Sequence, residues 1–426
     1  MSILDVLKPP GSRVPVPVGC ALEIVDLPAP DQVLIPLEYP GQILFRPLVQ
    51  AGDEVACNQV IGRSEHGNFI HASISGKVVE LKTMWAARSF HVPAVVIEKN
   101  DTPPLVGDEL LRQCDIDPQS ATRVDLLRAA GVVSPWTTPG HNDSEVDIED
   151  YPEIIQIVIK GVNQEPTICS FRLLLRTRTE EVQEALRRLA EIIPQARILL
   201  AVSKAEAEWA SESFSDLAEV VPLSNDFRGR IERQYVGRLT GIKVPNNASY
   251  RSGGVAVISV EQLLDMYDAL EGRPCIRKTV TLSSSRDFQP VTVRTVVGTS
   301  IGDLLASQNL VVEDGDRVIM GGPMTGTAQF TLETPLSKFQ AGVHVLKAKD
   351  IVADTNLICV NCGRCTRACP VNLQVHLIGR CVEFDQFDEA QLYHPTACIE
   401  CGLCAFVCPA HRPLLQMVKM AVNFRG

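Results

Sequence analysis

The chain has 426 residues, and this length predicts roughly two to four domains, because a single hydrophobic core stops growing well below it. Apolar residues make up 45% and charged residues 21%, an ordinary balance for a globular protein in water. The net charge of −11 argues against a nucleic-acid partner, which needs a basic face, and gives no attraction to an anionic membrane surface.

No segment of the sequence predicts secretion or a membrane span. The start of the chain lacks the basic region and long apolar run of a secretory signal. No stretch approaches the roughly 20 uninterrupted apolar residues that cross a bilayer. We therefore expect a cytoplasmic protein that reaches the inner face of the cell membrane only through partner subunits.

In chain order, the first predicted elements are strands, and the middle of the chain alternates strands with helices. Residues 31–100 show short β-branched runs broken by turn residues, which is typical of a β domain. Further on, helices are predicted over Thr179–Ile192, with Thr179 as N-cap, and over Val260–Leu270. Strands are predicted over residues 154–159, 197–202 and 254–259. This alternation indicates an open α/β domain of Rossmann-like layering.

The last part of the chain changes pattern twice. Residues 275–348 return to short strands with one small helix near 301–307, which suggests a compact α+β module. The remaining residues are mostly helical. An apolar helix near 414–422 is a candidate partner surface, and the alternative is ordinary packing within its own domain.

Fourteen cysteines are many for a cytosolic protein, and their distribution divides them into two sets. Six are scattered singly and are predicted to be small buried hydrophobes: Cys20, Cys57, Cys114, Cys169, Cys275 and Cys381. Eight form two tight runs between residues 359 and 408. A reducing compartment disfavours a disulfide framework, so clustered cysteines indicate metal binding.

Both cysteine runs have the pattern C-x₂-C-x₂-C-x₃-C-P. Three thiolates at this spacing bind three irons of one cubane, and the fourth cysteine binds the other cluster in two-cluster proteins. The first predicted ligand set is Cys359, Cys362, Cys365 and Cys408. The second predicted ligand set is Cys398, Cys401, Cys404 and Cys369. Gly363 and Gly402 leave room for the backbone to approach the sulfides.

A pair of zinc sites is the alternative. Zinc takes four ligands, usually from two separated C-x₂-C pairs, and two single runs that each end before a proline, Pro370 or Pro409, fit that arrangement poorly. Between the runs, a helix predicted over residues 373–387 favours a helical two-cluster domain over a small β-rich ferredoxin. The predicted cofactors are therefore two [4Fe-4S] clusters.

Taken in this order, these features resemble RnfC, a subunit of the Rnf electron transport complex (ferredoxin:NAD oxidoreductase). Residues 8–10 resemble its N-terminal His-Pro-Pro, residues 49–55 and 71–79 its barrel sandwich hybrid domain, and residues 316–326 the signature of its SLBB β-grasp module. The resemblance implies a multidomain α/β architecture of four domains. These are a sandwich-hybrid domain (1–108), an α/β domain (109–272), an SLBB β-grasp domain (273–348) and a helical two-cluster ferredoxin domain (349–426).

The α/β domain departs from the family in the segments that hold flavin and NADH. The family's flavin domain has a glycine-rich loop whose backbone N–H groups approach phosphate closely. Residues 130–140 keep Gly131 but introduce Pro135 and Trp136, and residues 161–166 and 225–230 also lack the family's pattern. We predict that the domain binds neither FMN nor NADH, so no catalytic or flavin-binding residue is assigned. The opposing interpretation keeps a phosphate on Arg128, Arg172 or Lys160.

The resemblance and the cysteine runs imply an electron-transfer subunit that relays single electrons through two clusters within a larger, membrane-bound redox complex. Its partners would be other subunits of that complex, or a ferredoxin-like or flavoprotein electron donor. One alternative is an FMN-dependent subunit that takes hydride from NADH. Another is a reductase dedicated to one partner enzyme.

Overall fold

The structure is a computed structural model that describes residues 23–39, 43–85, 92–132, 154–242, 244–245, 248–352 and 357–424. Residues 8–10, Cys20 and the segment with Pro135 and Trp136, on which parts of the resemblance depend, lie outside these residues.

Two four-stranded sheets form the N-terminal part of the described chain. In spatial order, the strands of one are β2 (Gln32–Pro36), β9 (Val92–Lys99), β8 (Gly76–Met84) and β5 (Glu54–Val55). The strands of the other are β3 (Glu38–Tyr39), β4 (Ile43–Pro47), β6 (Val60–Ser64) and β7 (Phe69–His71). Buried Val33 and Ile97 of the first sheet share one apolar core with Ile61 and Ile70 of the second. The result is a sandwich in which each sheet covers the apolar face of the other.

Two short helices, α1 (Asp108–Gln113) and α2 (Arg123–Ala129), lead to a layer of four parallel strands. Its spatial order is β12 (Glu219–Leu223), β11 (Arg197–Ser203), β10 (Gln156–Lys160) and β13 (Val255–Ser259). Ile157 faces one apolar core and Val158 the other, so both faces must be covered, as is usual for parallel sheets. The covering helices are α3 (Ser170–Thr177), α4 (Thr179–Ile192), α5 (Ala207–Phe214), α6 (Glu232–Thr240) and α7 (Val260–Leu270). We call this region the parallel layer.

The predicted helices α4 and α7 are confirmed, and so are the three predicted strands, with small shifts at their ends. Thr179 as the N-cap of α4 is wrong. Arg178 occupies the cap position, and the Thr179 hydroxyl donates to the Leu175 carbonyl at 2.9 Å. Because α3 ends at Thr177, directly before α4, the Leu175 carbonyl in its last turn is within reach of the Thr179 hydroxyl and accepts it.

A six-stranded mixed sheet follows, with α8 (Ile301–Ser307), the small helix predicted there, packed on it. Its spatial order is β1 (Ile24–Asp26), β15 (Val291–Val296), β14 (Arg277–Ser284), β18 (Gly342–Leu346), β16 (Arg317–Met320) and β17 (Thr327–Gln329). Strand β1 pairs in parallel with β15, Val25 lying opposite Val293. Strand β1 thus comes from the predicted domain 1–108 but pairs within the predicted domain 273–348. We call this sheet the mixed sheet.

The C-terminal domain is helical, with the cysteine runs between short helices. Its helices are α9 (Arg364–Ala368), α10 (Val375–Glu383), α11 (Phe387–Gln391), α12 (Leu403–Phe406) and α13 (Leu414–Asn423). The single helix predicted over residues 373–387 is wrong, because Asp385 has a φ of 56° and divides it into α10 and α11. The Gln386 N–H donates to the Cys381 carbonyl at 2.8 Å, which closes the end of α10.

The apolar face of α13 is internal. Met417 and Val418 are buried in the same core as Val375 and Ile378 of α10, so ordinary packing accounts for most of the apolar residues near 414–422, although Met420 is exposed. Among the described residues, no helix combines the length and apolar character that a bilayer crossing requires.

Candidate metal centre

The first ligand set predicted from the sequence surrounds one cavity. Cys359, Cys362 and Cys365 line a cavity, partly open to solvent, together with Cys408 from the other run. Four cysteines around one cavity are the arrangement that a polynuclear cluster needs.

The second ligand set also comes together. Burial, together with the nearby Cys398 and Cys369 thiols, raises the pKa of the Cys401 thiol to about 11. Burial and the same neighbours also raise the pKa of Cys404. Cys369, from the first run, thus lies within electrostatic reach of the second, just as Cys408 raises the pKa of Cys365 in the first. Buried thiols resist ionisation by themselves, and bound iron supplies the positive charge that stabilises thiolates.

The two runs repeat the same backbone conformation as well as the same sequence. Each has left-handed residues at the same three places: before the second cysteine, directly after it, and three residues beyond the fourth. In chain order these are Asn361, Gly363 and Asn372 in the first run and Glu400, Gly402 and His411 in the second. Such turns direct successive N–H groups to one side and form concave anion sites. In the sequence, only the two glycines predicted a left-handed backbone. The asparagine, glutamate and histidine residues at the other positions are less specific for this conformation.

Backbone donors already point at some of the sulfurs. The Glu400 N–H donates to Cys398 Sγ at 3.4 Å, and the Leu373 N–H donates to Cys369 Sγ at 3.3 Å. N–H donors of this kind stabilise thiolate and sulfide charge and are one of the means by which a protein sets a cluster's potential.

Arg412 gives an independent indication that the first cavity suits an anion. The residue lines the cavity and is almost fully buried, and its guanidinium donates to Glu383 at 2.7 Å through one terminal nitrogen. Its Nε has no hydrogen-bond acceptor among the described residues. A buried donor without a partner costs about 1–3 kcal/mol, and a thiolate-bound cluster supplies an acceptor of the right charge. The residues present therefore fit an iron–sulfur cluster at this position.

The second run is covered by the rest of the chain. Cys401 and Leu403 are buried in one apolar group with Phe227 and Ile231 of the parallel layer, and Met324 packs against that group. A Cβ on Gly402 would lie 2.5 Å from the Met324 carbonyl oxygen, so this glycine permits the close approach of two domains.

Glu165 fixes the loop that brings Met324 to the second run, and the sequence did not mark it for this role. Its carboxylate accepts the Met324 N–H at 3.1 Å and the Thr325 N–H at 2.7 Å, and it also accepts the Thr325 hydroxyl. Burial raises the pKa of Glu165, while these hydrogen bonds oppose that increase. The parallel layer, the mixed sheet and the cysteine domain thus meet at one loop.

Three of the scattered cysteines are buried free thiols, as predicted: Cys114, Cys275 and Cys381. The prediction for Cys169 is wrong, because this buried residue is disulfide-bonded. The prediction for Cys57 is wrong, because it is half-buried and its thiol donates to the Ser73 carbonyl at 3.5 Å. None of these residues lines the cavity between the runs.

Comparison with known families supports the assignment at both ends of the chain. Residues 19–102 match the RnfC barrel sandwich hybrid domain, and residues 351–417 match the 4Fe-4S dicluster domain. The fold and the site thus define a two-cluster iron–sulfur protein, and its cofactors are two [4Fe-4S] clusters.

Curated relatives extend the similarity over most of the chain. A subunit of the proton-translocating ferredoxin:NAD(+) oxidoreductase complex of Clostridium ljungdahlii is 27% identical over 85% of this chain and 81% of its own length. Its counterpart in the Na(+)-translocating complex of Acetobacterium woodii is 27% identical over 92% and 90%. That of the ion-translocating oxidoreductase complex of Rhodobacter capsulatus is 26% identical over 82% and 70%. All three bear the designation C within their complexes. The chain is thus similar to these RnfC-type subunits over most of its length, as the resemblance predicted.

Among solved structures, a chain of the NAD+-reducing [NiFe]-hydrogenase in its H2-reduced state aligns with 74% of this chain and 65% of its own length. The sequence identity is 14% and the TM-score is 0.43, a similarity from which we draw no structural or functional conclusion.

Proposed function

We propose that this chain is an electron-transfer subunit of an Rnf-type ferredoxin:NAD oxidoreductase complex and relays single electrons through two [4Fe-4S] clusters. The observation that carries the proposal is the cavity that Cys359, Cys362 and Cys365 line together with Cys408 of the other run. The influence of Cys369 on the pKa of Cys401 supports the same exchange for the second set. Such exchange of ligands places two clusters close together in one small domain, as electron transfer between them requires. The chain would associate peripherally with a membrane complex through partner subunits.

The remaining regions position the clusters. The order of the parallel layer, in which β10 lies between β11 and β13, is that of Rossmann-like sheets, and we assign it to the family's flavin domain in degenerate form. We assign the mixed sheet to the SLBB β-grasp module and keep the four domain ranges given above, with β1 as an added strand. Because both regions pack on the second run, the second cluster is the inner one and the first cluster the outer one.

Chemical analysis of anaerobically prepared protein tests the relay. The chain should hold about eight irons, because eight cysteines form two complete ligand sets. Reductive titration should bleach the cluster absorbance with uptake of about two electrons, one for each cluster. Saturation at about four irons, or absorbance that does not bleach reversibly, would contradict the proposal.

An FMN-dependent NADH-oxidising subunit is the second candidate, and one cavity favours it. This cavity lies at the carboxyl ends of β10, β11 and β12, where parallel sheets bind ligands, and Gly161, Ser203 and Asn225 line it. Arg230 also lines it and is buried, which lowers the pKa of its guanidinium to about 10.

The ion pairs of this region argue against phosphate binding. Two of the three basic residues that could hold a phosphate are already paired with a carboxylate. Arg172 contacts Glu206 and Lys160 contacts Glu232, each at 2.7 Å.

We therefore propose that the parallel layer has lost its nucleotide, and an anaerobic titration with FMN and NADH tests this. The expected result is no stoichiometric flavin binding and no NADH-driven bleaching of the clusters, because prolines and β-branched residues replace the donors of the glycine loop. Flavin fluorescence and cluster absorbance are the readouts. Binding of one FMN per chain, abolished by Arg230→Gln, would instead establish the second candidate.

A further inference from the structure

The two cysteine runs are equivalent in sequence and backbone but differ in their surroundings. In the second run, Ile399 packs against the apolar group that contains Cys401 and Leu403. Phe227 and Ile231 of the parallel layer cover that side. This surface of the second run is therefore an interface within the chain.

The matching surface of the first run faces solvent. Val360, which corresponds to Ile399, is 66% exposed, and the neighbouring Ile358 is 89% exposed. Cys362 is exposed where Cys401 is buried, and the exposed Arg364 replaces the buried Leu403. We call Ile358, Val360, Cys362 and Arg364 the first-run face. Val360, Cys362 and Arg364 also line the cavity of the first ligand set, so this face connects the site of the outer cluster to the surface.

The charge of this face is opposite to that of the protein. The chain carries a net charge of −11, whereas residues 357–372 contain two arginines and no acidic residue. Arg364 and Arg367 are both exposed, and the Arg367 guanidinium donates to the Cys362 carbonyl at 3.0 Å. The second run has Glu400 in the place of Asn361, and Lys419 pairs with it at 2.8 Å. An apolar centre beside basic side chains complements an apolar contact bordered by carboxylates.

We propose that the first-run face is the docking surface for a redox protein with an acidic rim, and that electrons pass between that partner and the outer cluster across Val360 and Cys362. This inference rests on the proposed function. In the step itself, one electron passes from the reduced centre of the partner to the outer cluster, so the partner is oxidised and the cluster is reduced by one electron. The reverse transfer uses the same path. No bond is made or broken. The inner cluster then exchanges electrons with the outer one.

The test uses full-length holoprotein and measures its rate of reduction by a small acidic two-cluster ferredoxin in stopped flow. Arg364→Glu and Ile358→Ser should each lower the second-order rate constant by about three- to tenfold at low salt, because basic steering and apolar contact are lost. The matched controls are Arg187→Glu, an exposed arginine on α4, and Leu392→Ser, an exposed leucine after α11. Neither control should change the rate. Added salt should slow the unchanged protein and reduce the difference between it and Arg364→Glu.

Photoreduced deazariboflavin, a small uncharged reductant, separates this inference from the proposed function. All variants should contain about eight irons and accept electrons from it at the same rate, because it needs no docking surface. Equal ferredoxin rates for Arg364→Glu and Arg187→Glu would overturn the docking surface and leave the relay intact. Failure of deazariboflavin to reduce the clusters of the unchanged protein would overturn the relay and the docking surface together.

Discussion

Replacing Cys369 by serine should remove the cluster of the second run and leave that of the first, so that iron falls from about eight to about four atoms per chain. Cys369 lies in the first run, but the thiols that share its electrostatic environment are Cys398 and Cys401 of the second. Loss of one of four thiolates leaves an iron open to solvent, and such a cluster does not survive preparation. Iron analysis and electron paramagnetic resonance of the reduced protein provide the measurement.

Double variants show which cysteines bind the same cluster, without any assignment of spectra. Adding Cys401→Ser to Cys369→Ser should remove no further iron, because both cysteines belong to one predicted ligand set. Adding Cys362→Ser should remove the rest, because it belongs to the other. Cys381→Ser is the matched control, since Cys381 is buried in the same domain but outside both sets, and about eight irons should remain. The reverse pattern in the two double variants would show that each run holds its own cluster.

Gly402→Ala should cost far more than Gly363→Ala, although the two glycines occupy equivalent places. Both have left-handed backbones, with φ of 77° and 66°, so alanine strains each by about 1–2 kcal/mol. At Gly402 the new Cβ would also lie 2.5 Å from the Met324 carbonyl oxygen. At Gly363 the nearest atom is the Arg367 guanidinium at 3.0 Å, which can move aside. Overpacking adds about 1–3 kcal/mol at Gly402 alone.

The expected result is therefore selective. Gly402→Ala should lose the inner cluster during preparation or within minutes of adding an iron chelator, whereas Gly363→Ala should keep both clusters nearly as long as the unchanged protein. Bleaching of the cluster absorbance under chelator gives the two rates. Similar rates for both variants would show that the domain contact through Met324 has no part in holding the inner cluster.

The local features of the site were predictable because they depend on short separations along the chain. Three cysteines at two-residue spacing and the two glycines after the second cysteines suffice to predict cubane ligands. The helices α4 and α7 were predictable for the same reason, since an apolar residue at every third or fourth position indicates one buried face. Thr179 shows the limit of such patterns, because the hydroxyl that was predicted to cap α4 bonds to the preceding helix instead.

The cysteine spacing is enough to predict two clusters, and the apolar patterns predict a helical domain around them with a β-rich and an α/β region before it. How these parts face one another is visible only in the folded chain. In the structure, Met324 lies against Gly402, and strand β1 pairs with β15 of the mixed sheet. Val360 is exposed, whereas the corresponding Ile399 packs against an apolar group. The physical reason is that metal ligation and helix periodicity act between near neighbours in the chain. Domain contacts join residues that lie far apart in the chain, and no spacing in the sequence records which surfaces will meet.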